Sequence, residues 1–217
     1  MLLFLIRHGD PIYSPDSLTP LGKRQAEAVA KRLALYGIDR VYSSSSNRAI
    51  QTATPTCELM HKEPEILDWC NELYAWQSFT AIDSQGKRRW LSECDTTKYI
   101  MVSKEMRELG DCWYEHPALD NEKCKKGFDF IRNECNAFFE KLGYVHDWEN
   151  HVYRCIKPND ERIALFAHAG FGQVFLSIVL DIPYPQVCSH FSISHSCFTV
   201  IELKGDDIAI PKVLSFS

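Results

Sequence analysis

At 217 residues the chain suits one good-sized domain, or a domain carrying a large insertion. Apolar residues make up 45% and charged residues 24%, which is ordinary for a soluble globular protein. The net charge of -5 argues against a general nucleic-acid binder, and no stretch approaches the ~20 apolar residues of a membrane span. Nine scattered cysteines, odd in number and without a Cys-x-x-Cys pair, fit reduced thiols in a cytoplasmic protein better than a disulfide framework or a zinc site.

The first stretch, Met1-Leu2-Leu3-Phe4-Leu5-Ile6, is continuously apolar. It reads as a strand buried on both faces, at the centre of a parallel sheet, and is too short and too lacking in basic residues for a signal peptide. It ends at Arg7-His8-Gly9, and open α/β sheets place their ligands at such carboxyl ends. Residues 10–17 are rich in turn formers. A helix is expected from Thr19 as N-cap and Pro20 at its first position, with Gly22, Ala26, Val29, Ala30 and Leu33 on one face and a stop at Gly37. A short strand over Ile38–Tyr42 leads into four serines, and a serine cap opens a second helix that Pro55 should kink or shorten. Glu65-Ile66-Leu67 reads as a third strand ending at Asp68.

From about Trp76 to Glu149 the texture changes, and the stretch 76–149 reads as an insertion packed over one end of the sheet. Residues 79–82 and 87–90 flank the turn former Asp83-Ser84-Gln85-Gly86, as in a hairpin. Of two helical stretches beyond it, the clearer spans Asn121–Leu142, with Phe128, Ile131, Cys135, Phe138, Phe139 and Leu142 as its apolar stripe. Ile163–Ala167 is a second strongly apolar strand, ending at His168-Ala169-Gly170 and turning into an apolar helix over Gly172–Leu180. Phe198–Leu203 and Ile208–Phe216 read as two final strands.

Two apolar strands therefore each end in a histidine followed within two residues by glycine. If both are central and parallel, His8 and His168 emerge at one edge. At this point the chain resembles a family. Arg7-His8-Gly9, Leu18-Thr19-Pro20-Leu21-Gly22, Ser46-Asn47-Arg48-Ala49-Ile50-Gln51-Thr52-Ala53 and Phe166-Ala167-His168-Ala169-Gly170 are similar to the ordered motifs of the histidine phosphatase superfamily, the phosphoglycerate-mutase-like group. The motifs cover the first 70 residues and the last 60 or so; the insertion matches nothing nameable.

The resemblance implies a single α/β domain over 1–217: a three-layer α/β/α sandwich with a mostly parallel central sheet and 76–149 as an inserted, mainly helical lid. It implies catalysis through a phosphohistidine on His8, with Arg7, Arg48 and His168 binding the phosphoryl oxygens, and with no metal and no cofactor. Chemistry agrees with those roles. An imidazole with an ordinary pKa near ~6.5 is available neutral, and the arginine fork suits phosphoryl oxygens. For the general acid, Asp68 has the family's register after the third strand, though the family carries glutamate there; Asp68 is favoured, with Glu72 as the alternative.

The expected activity is hydrolysis of a small phosphorylated substrate in the cytoplasm. A mutase-type phosphotransferase and an inactive phospho-ligand binding protein are the alternatives. No nucleic-acid or membrane partner is expected, and a homodimer stays open. Lys87-Arg88-Arg89 reads as a solvated hairpin edge rather than a second phosphate site. His195 is the one further histidine placed to reach the pocket. The aromatic residues Trp76, Phe79, Trp90, Trp113 and Tyr114 are expected to line its mouth in part.

Overall fold

The structure, a computed structural model, describes residues 1–216. In chain order it runs β1 (Leu2–Arg7), β2 (Pro11–Tyr13), β3 (Asp16–Leu18), α1 (Pro20–Tyr36), β4 (Arg40–Ser44), α2 (Asn47–Met60) and β5 (Pro64–Leu67). A 3-10 turn over Asp68–Cys70 leads to α3 (Glu72–Ser78), β6 (Thr80–Ile82), β7 (Arg88–Trp90) and α4 (Lys104–Glu108). After a second such turn, Gly110–Glu115, come α5 (Asn121–Lys141), β8 (Tyr144–Asp147), β9 (Val152–Cys155), β10 (Arg162–Ala167) and α6 (Ala169–Leu180). The chain closes with α7 (Tyr184–His190), β11 (Phe198–Glu202), β12 (Ile208–Ala209) and β13 (Lys212–Phe216).

Six strands form the central sheet in the order β13-β11-β1-β10-β4-β5. The four strands β1, β10, β4 and β5 pair in parallel, while β11 runs antiparallel to β1 and β13 antiparallel to β11. The parallel strands are the apolar runs of the sequence because both of their faces are covered. Phe4, Ile6, Val41, Ala164 and Phe166 face one core with Val29 and Leu33 of α1 and Ala53 and Cys57 of α2. Leu3, Leu5, Ile163 and Leu165 face a second core with Phe138 and Phe139 of α5 and Phe171 and Phe175 of α6. The result is the expected mixed α/β fold, a mostly parallel sheet between two helical layers.

Local signals explain the helix ends. Thr19 accepts a hydrogen bond from the Gly22 amide and Gly37 closes α1 at φ 72°, a cap worth about 1 kcal/mol and a left-handed position suited to glycine. Pro55 does not shorten α2, which continues to Met60. Ala49, Ala53 and Cys57 are buried on both sides of the proline, and that packing carries the helix through the lost backbone bond. The last expected strand divides in two: β12 pairs with β9 and β13 with β11. Pro211 lies between them and has no N–H to continue a ladder.

The stretch 76–149 does not act as one lid. Its α5 stripe (Phe128, Ile131, Cys135, Phe138, Phe139) is buried in the sheet-covering core beside α6, so α5 belongs to a layer of the sandwich. Each such side chain contributes roughly 1.5–3 kcal/mol on burial, far more than a loosely held flap could retain. Only the N-terminal part, with the β6–β7 hairpin, approaches the strand ends that carry His8 and His168.

Two glycines fix the connection from β1 to α1. A Cβ on Gly9 would lie 2.6 Å from the Gly22 carbonyl oxygen, and one on Gly22 would lie 2.3 Å from that of Asp10. The strand exit and the first turn of α1 are thus in backbone-to-backbone contact. Gly9→Ala and Gly22→Ala should each destabilise the protein by roughly 1–3 kcal/mol, read as a lower urea midpoint. An unchanged midpoint would show that this contact is not needed.

Candidate active site

The register of the parallel sheet builds the site. Arg7 pairs with Ala167 and the His8 amide donates to the Ala167 carbonyl at 3.0 Å, so the residues after β1 and β10 leave the sheet side by side. His8 and His168 stand with ring centroids 5.2 Å apart. Ser43 of β4 pairs with Phe166, which sets Ser44 and Ser46 behind His168. Arg48 enters from the first turn of α2, and Glu72 from the first turn of α3.

Hydrogen-bond partners assign the protons on three imidazoles. His8 Nδ1 lies 2.7 Å from the Gly9 carbonyl, which only accepts, so Nδ1 carries the proton and Nε2 presents its lone pair. Arg48 Nη2 donates to His168 Nδ1 at 3.1 Å, so His168 Nε2 holds the proton and donates to Ser44 Oγ at 2.8 Å. Arg7 Nη2 donates to His195 Nε2 at 2.8 Å, which leaves the proton on Nδ1, 3.8 Å from an Asp10 carboxylate oxygen.

All three histidines are held neutral. Burial, with Arg48 and Arg7 nearby, pushes His8 down to about 3. The same causes hold His168 well below its ordinary value, and burial next to Arg7 lowers His195. The arginines are positioned by a few bonds each. Arg7 donates to the Ile193 carbonyl as well as to His195, and Arg48 pairs with Asp16 at 2.7 Å. The buried Nε of both arginines has no partner among the described residues, so each guanidinium retains a donor.

Glu72 is the carboxylate of this pocket. It opens α3 behind the Asn71 cap, and its Oε1 accepts from the Phe171 amide at 3.0 Å in the first turn of α6. Its Oε2 lies 3.5 Å from His168 Nδ1. Burial raises its pKa from 4.5 to about 7, against the pull of the Phe171 and Gly170 amides and of the two arginines. The approach is close enough to require glycine at 170, where a Cβ would sit 2.5 Å from Glu72 Oε1 and 2.4 Å from the Trp90 ring.

Asp68, the carboxylate favoured from register, lies elsewhere. It is exposed, outside the pocket lining, and accepts from Ser45 Oγ at 2.5 Å and Tyr74 OH at 2.6 Å. Those two bonds, Ser45 first, lower its pKa and keep it ionised. The reason is local: the 3-10 turn after β5 rotates Asp68 to the surface and carries the chain on to Glu72. That turn gives no periodic signal in sequence, so register alone pointed one turn too early.

The pocket has a volume of about 550 Å³ and is lined by Arg7, His8, Tyr13, Arg48, Asn71, Glu72, Leu73, Trp76, Trp90, Ala169 and Gly170. Of the five aromatics expected at its mouth, Trp76 and Trp90 are there. Phe79 and Trp113 are buried in the core against Tyr184, and Tyr114 packs on Trp113. Tyr13, Asn71 and Asp16 were not anticipated, because the β2–β3 ribbon that carries Tyr13 and Asp16 looks like a plain loop in sequence. Arg88 donates to Thr80 Oγ1 and Arg89 to Asp83, so neither turns toward the pocket.

A neutral imidazole with a free lone pair, faced by two guanidinium groups and a carboxyl that titrates near neutrality, suits transfer of a phosphoryl group. Residues 3–110 match the model of the histidine phosphatase superfamily (branch 1). With the motifs of the C-terminal part and the fold, this places the chain: it belongs to the histidine phosphatase superfamily. It is 24% identical over 226 aligned positions to the adenosylcobalamin/alpha-ribazole phosphatase of Salmonella typhi, covering 99% of this chain and 96% of the relative. A phosphoserine phosphatase variant from Entamoeba histolytica has the same fold, with a TM-score of 0.63 at 17% identity over 99% of this chain and 95% of the other. A mycobacterial glucosyl-3-phosphoglycerate phosphatase matches with a TM-score of 0.61 at 16% identity over 98% and 96%.

The environment of Glu72 has a measurable consequence for stability. Its folded pKa is raised above its unfolded value, so the folded state holds the proton more tightly. The stability this contributes is present below about 4.5 and is lost as pH rises to about 7. Glu72→Gln keeps an acceptor for the Phe171 amide and removes the buried charge. Its thermal midpoint at pH 8 should exceed that of the parent protein, and the gap should close toward pH 4.5. Asp68→Asn should show no such gain at pH 8, and a gain there in place of one at Glu72 would contradict the assignment.

Proposed function

We propose that this chain is a phosphomonoesterase acting on a small phosphorylated substrate through a phosphohistidine on His8, with Glu72 as the proton donor. The observation that carries the reading is the tautomer of His8. With Nδ1–H tied to the Gly9 carbonyl, Nε2 keeps a free lone pair in a pocket that Arg7 and Arg48 also line. The phosphatase names of the relatives support it as well.

The proposed reaction has two steps. His8 Nε2 attacks phosphorus and the ester P–O bond breaks, its electron pair passing to the leaving oxygen. Protonated Glu72 delivers its proton to that oxygen, and the alcohol departs. Water then attacks the phosphohistidine, Glu72 carboxylate takes the proton, and the P–N electron pair returns to Nε2. Arg7 and Arg48 bind the equatorial oxygens and stabilise their charge throughout. A carboxyl near pH 7 suits a group that must give and take a proton in one cycle. The cytoplasm is the proposed setting, supported by nine free thiols, most of them buried.

His8→Ala should abolish turnover and the acid-labile phosphoenzyme seen on rapid quench; a phosphoenzyme on that variant would exclude His8 as nucleophile. A second measurement addresses the acid. For an alkyl phosphate, kcat/KM should fall above about pH 7, because the protonated donor is lost as pH rises through the Glu72 pKa. Glu72→Gln should lose ~10²–10⁴-fold on alkyl phosphates and far less on p-nitrophenyl phosphate, whose leaving group needs little protonation. Equal losses on both esters would assign Glu72 to positioning alone.

A further inference from the structure

The reading as a phosphatase leaves the leaving group open, and the pocket wall on that side is specific in its chemistry. Glu72 and Trp76 are four residues apart on α3 and so share a face, with the indole one turn beyond the carboxyl. Trp90, the last residue of β7, meets Trp76 edge to face at a centroid distance of 4.9 Å and an interplanar angle of 82°. Its ring also lies against Gly170, where even a Cβ would clash. Tyr13 also lines the pocket, its ring 5.5 Å from the Arg48 guanidinium, and Leu73 is an exposed residue of the lining.

The charges are as informative as the rings. Among the described residues Arg7 and Arg48 are the only cations in the lining, and in the proposed reaction both bind the transferred phosphoryl group. Near the leaving group the polar side chains are Glu72 and the amide of Asn71. A second anionic group on the substrate would meet no cation there and would face the carboxyl of Glu72. A flat apolar group would instead lie against the pocket face of the indole pair, and such contacts add to simple burial.

We propose, resting on the phosphatase reading, that the substrate class is phosphate monoesters of alcohols that carry an uncharged aromatic or apolar group next to the ester oxygen. Esters with a carboxylate or a second phosphate near the ester oxygen are discriminated against. Trp76 and Trp90 are the specificity-determining residues. The binding geometry couples recognition to chemistry, since the indole pair begins where the proton donor ends.

The test uses four alkyl phosphates, so that leaving-group activation does not mimic recognition: 2-phenylethyl phosphate, ethyl phosphate, phosphoserine and 3-phosphoglycerate. On the intact protein, kcat/KM for 2-phenylethyl phosphate should exceed that for ethyl phosphate by roughly tenfold or more. Both carboxylate esters should fall below ethyl phosphate. Trp76→Ala and Trp90→Ala should each collapse the phenylethyl-to-ethyl ratio while ethyl phosphate is still turned over. Leu73→Arg, at an exposed rim position that tolerates change, should raise turnover of 3-phosphoglycerate relative to the parent. Equal rates across the four esters, or a preference for the carboxylates, would overturn the proposal while leaving the phosphatase reading intact. If no ester were hydrolysed, the phosphatase reading would fall instead. Calorimetric titration of the His8→Ala protein with the same four esters would then decide the preference by affinity alone: tighter 2-phenylethyl phosphate supports it, and tighter phosphoserine or 3-phosphoglycerate refutes it.

Discussion

Everything in the site depends on the parallel pairing of β1 with β10. Arg7 opposite Ala167 is the register that brings two histidines from positions 160 residues apart to a centroid distance of 5.2 Å. A slip of one residue would turn each side chain of β1 to the other face, and Leu3, Leu5 and Phe4 would exchange cores. Because those residues are almost wholly buried, the packing that stabilises the sheet also holds His8 in place. Stability and catalytic geometry are here the same set of contacts.

A second dependence lies within the helical layer that holds α3, α5 and α6. Glu72 sits at the start of α3 and accepts from the amide in the first turn of α6, so one carboxyl joins two helices and the imidazole of His168. Its buried position is destabilising when ionised, and the Phe171 and Gly170 amides offset only part of that. The fold therefore keeps, in the pocket wall, a carboxyl that is about half protonated near pH 7.

The sandwich was largely legible from residues alone where burial is two-sided or periodic. The apolar runs at β1 and β10, the Thr19-Pro20 start and Gly37 stop of α1, and the stripe of α5 all carry their structure in local pattern. The placement of His8, Arg7 and Arg48 around one pocket, with His168 buried beside His8, also followed, because strand ends and a helix start are addresses that sequence can give. What was hidden depends on irregular backbone. The turn over Asp68–Cys70 has no period to read, and it decides which carboxyl enters the pocket. The role of α5 as a layer was hidden as well, since an amphipathic stripe tells that a helix packs but not on what.

The pocket is assembled from parts of different standing. Arg7, His8 and His168 stand at the ends of sheet strands, whereas Tyr13 and Trp90 belong to two small ribbons outside that sheet. Each ribbon is held by side chains of neighbouring elements: Asp16 and Leu18 bond to α2, and the β6–β7 hairpin bonds to Asp95 and Lys123. Loop changes of this kind leave the sheet register untouched. The nucleotides of a gene that set Tyr13 and Trp90 are therefore separable from those that set the sheet, and substitutions at these two ring positions alter the pocket wall without touching the pairing of β1 with β10.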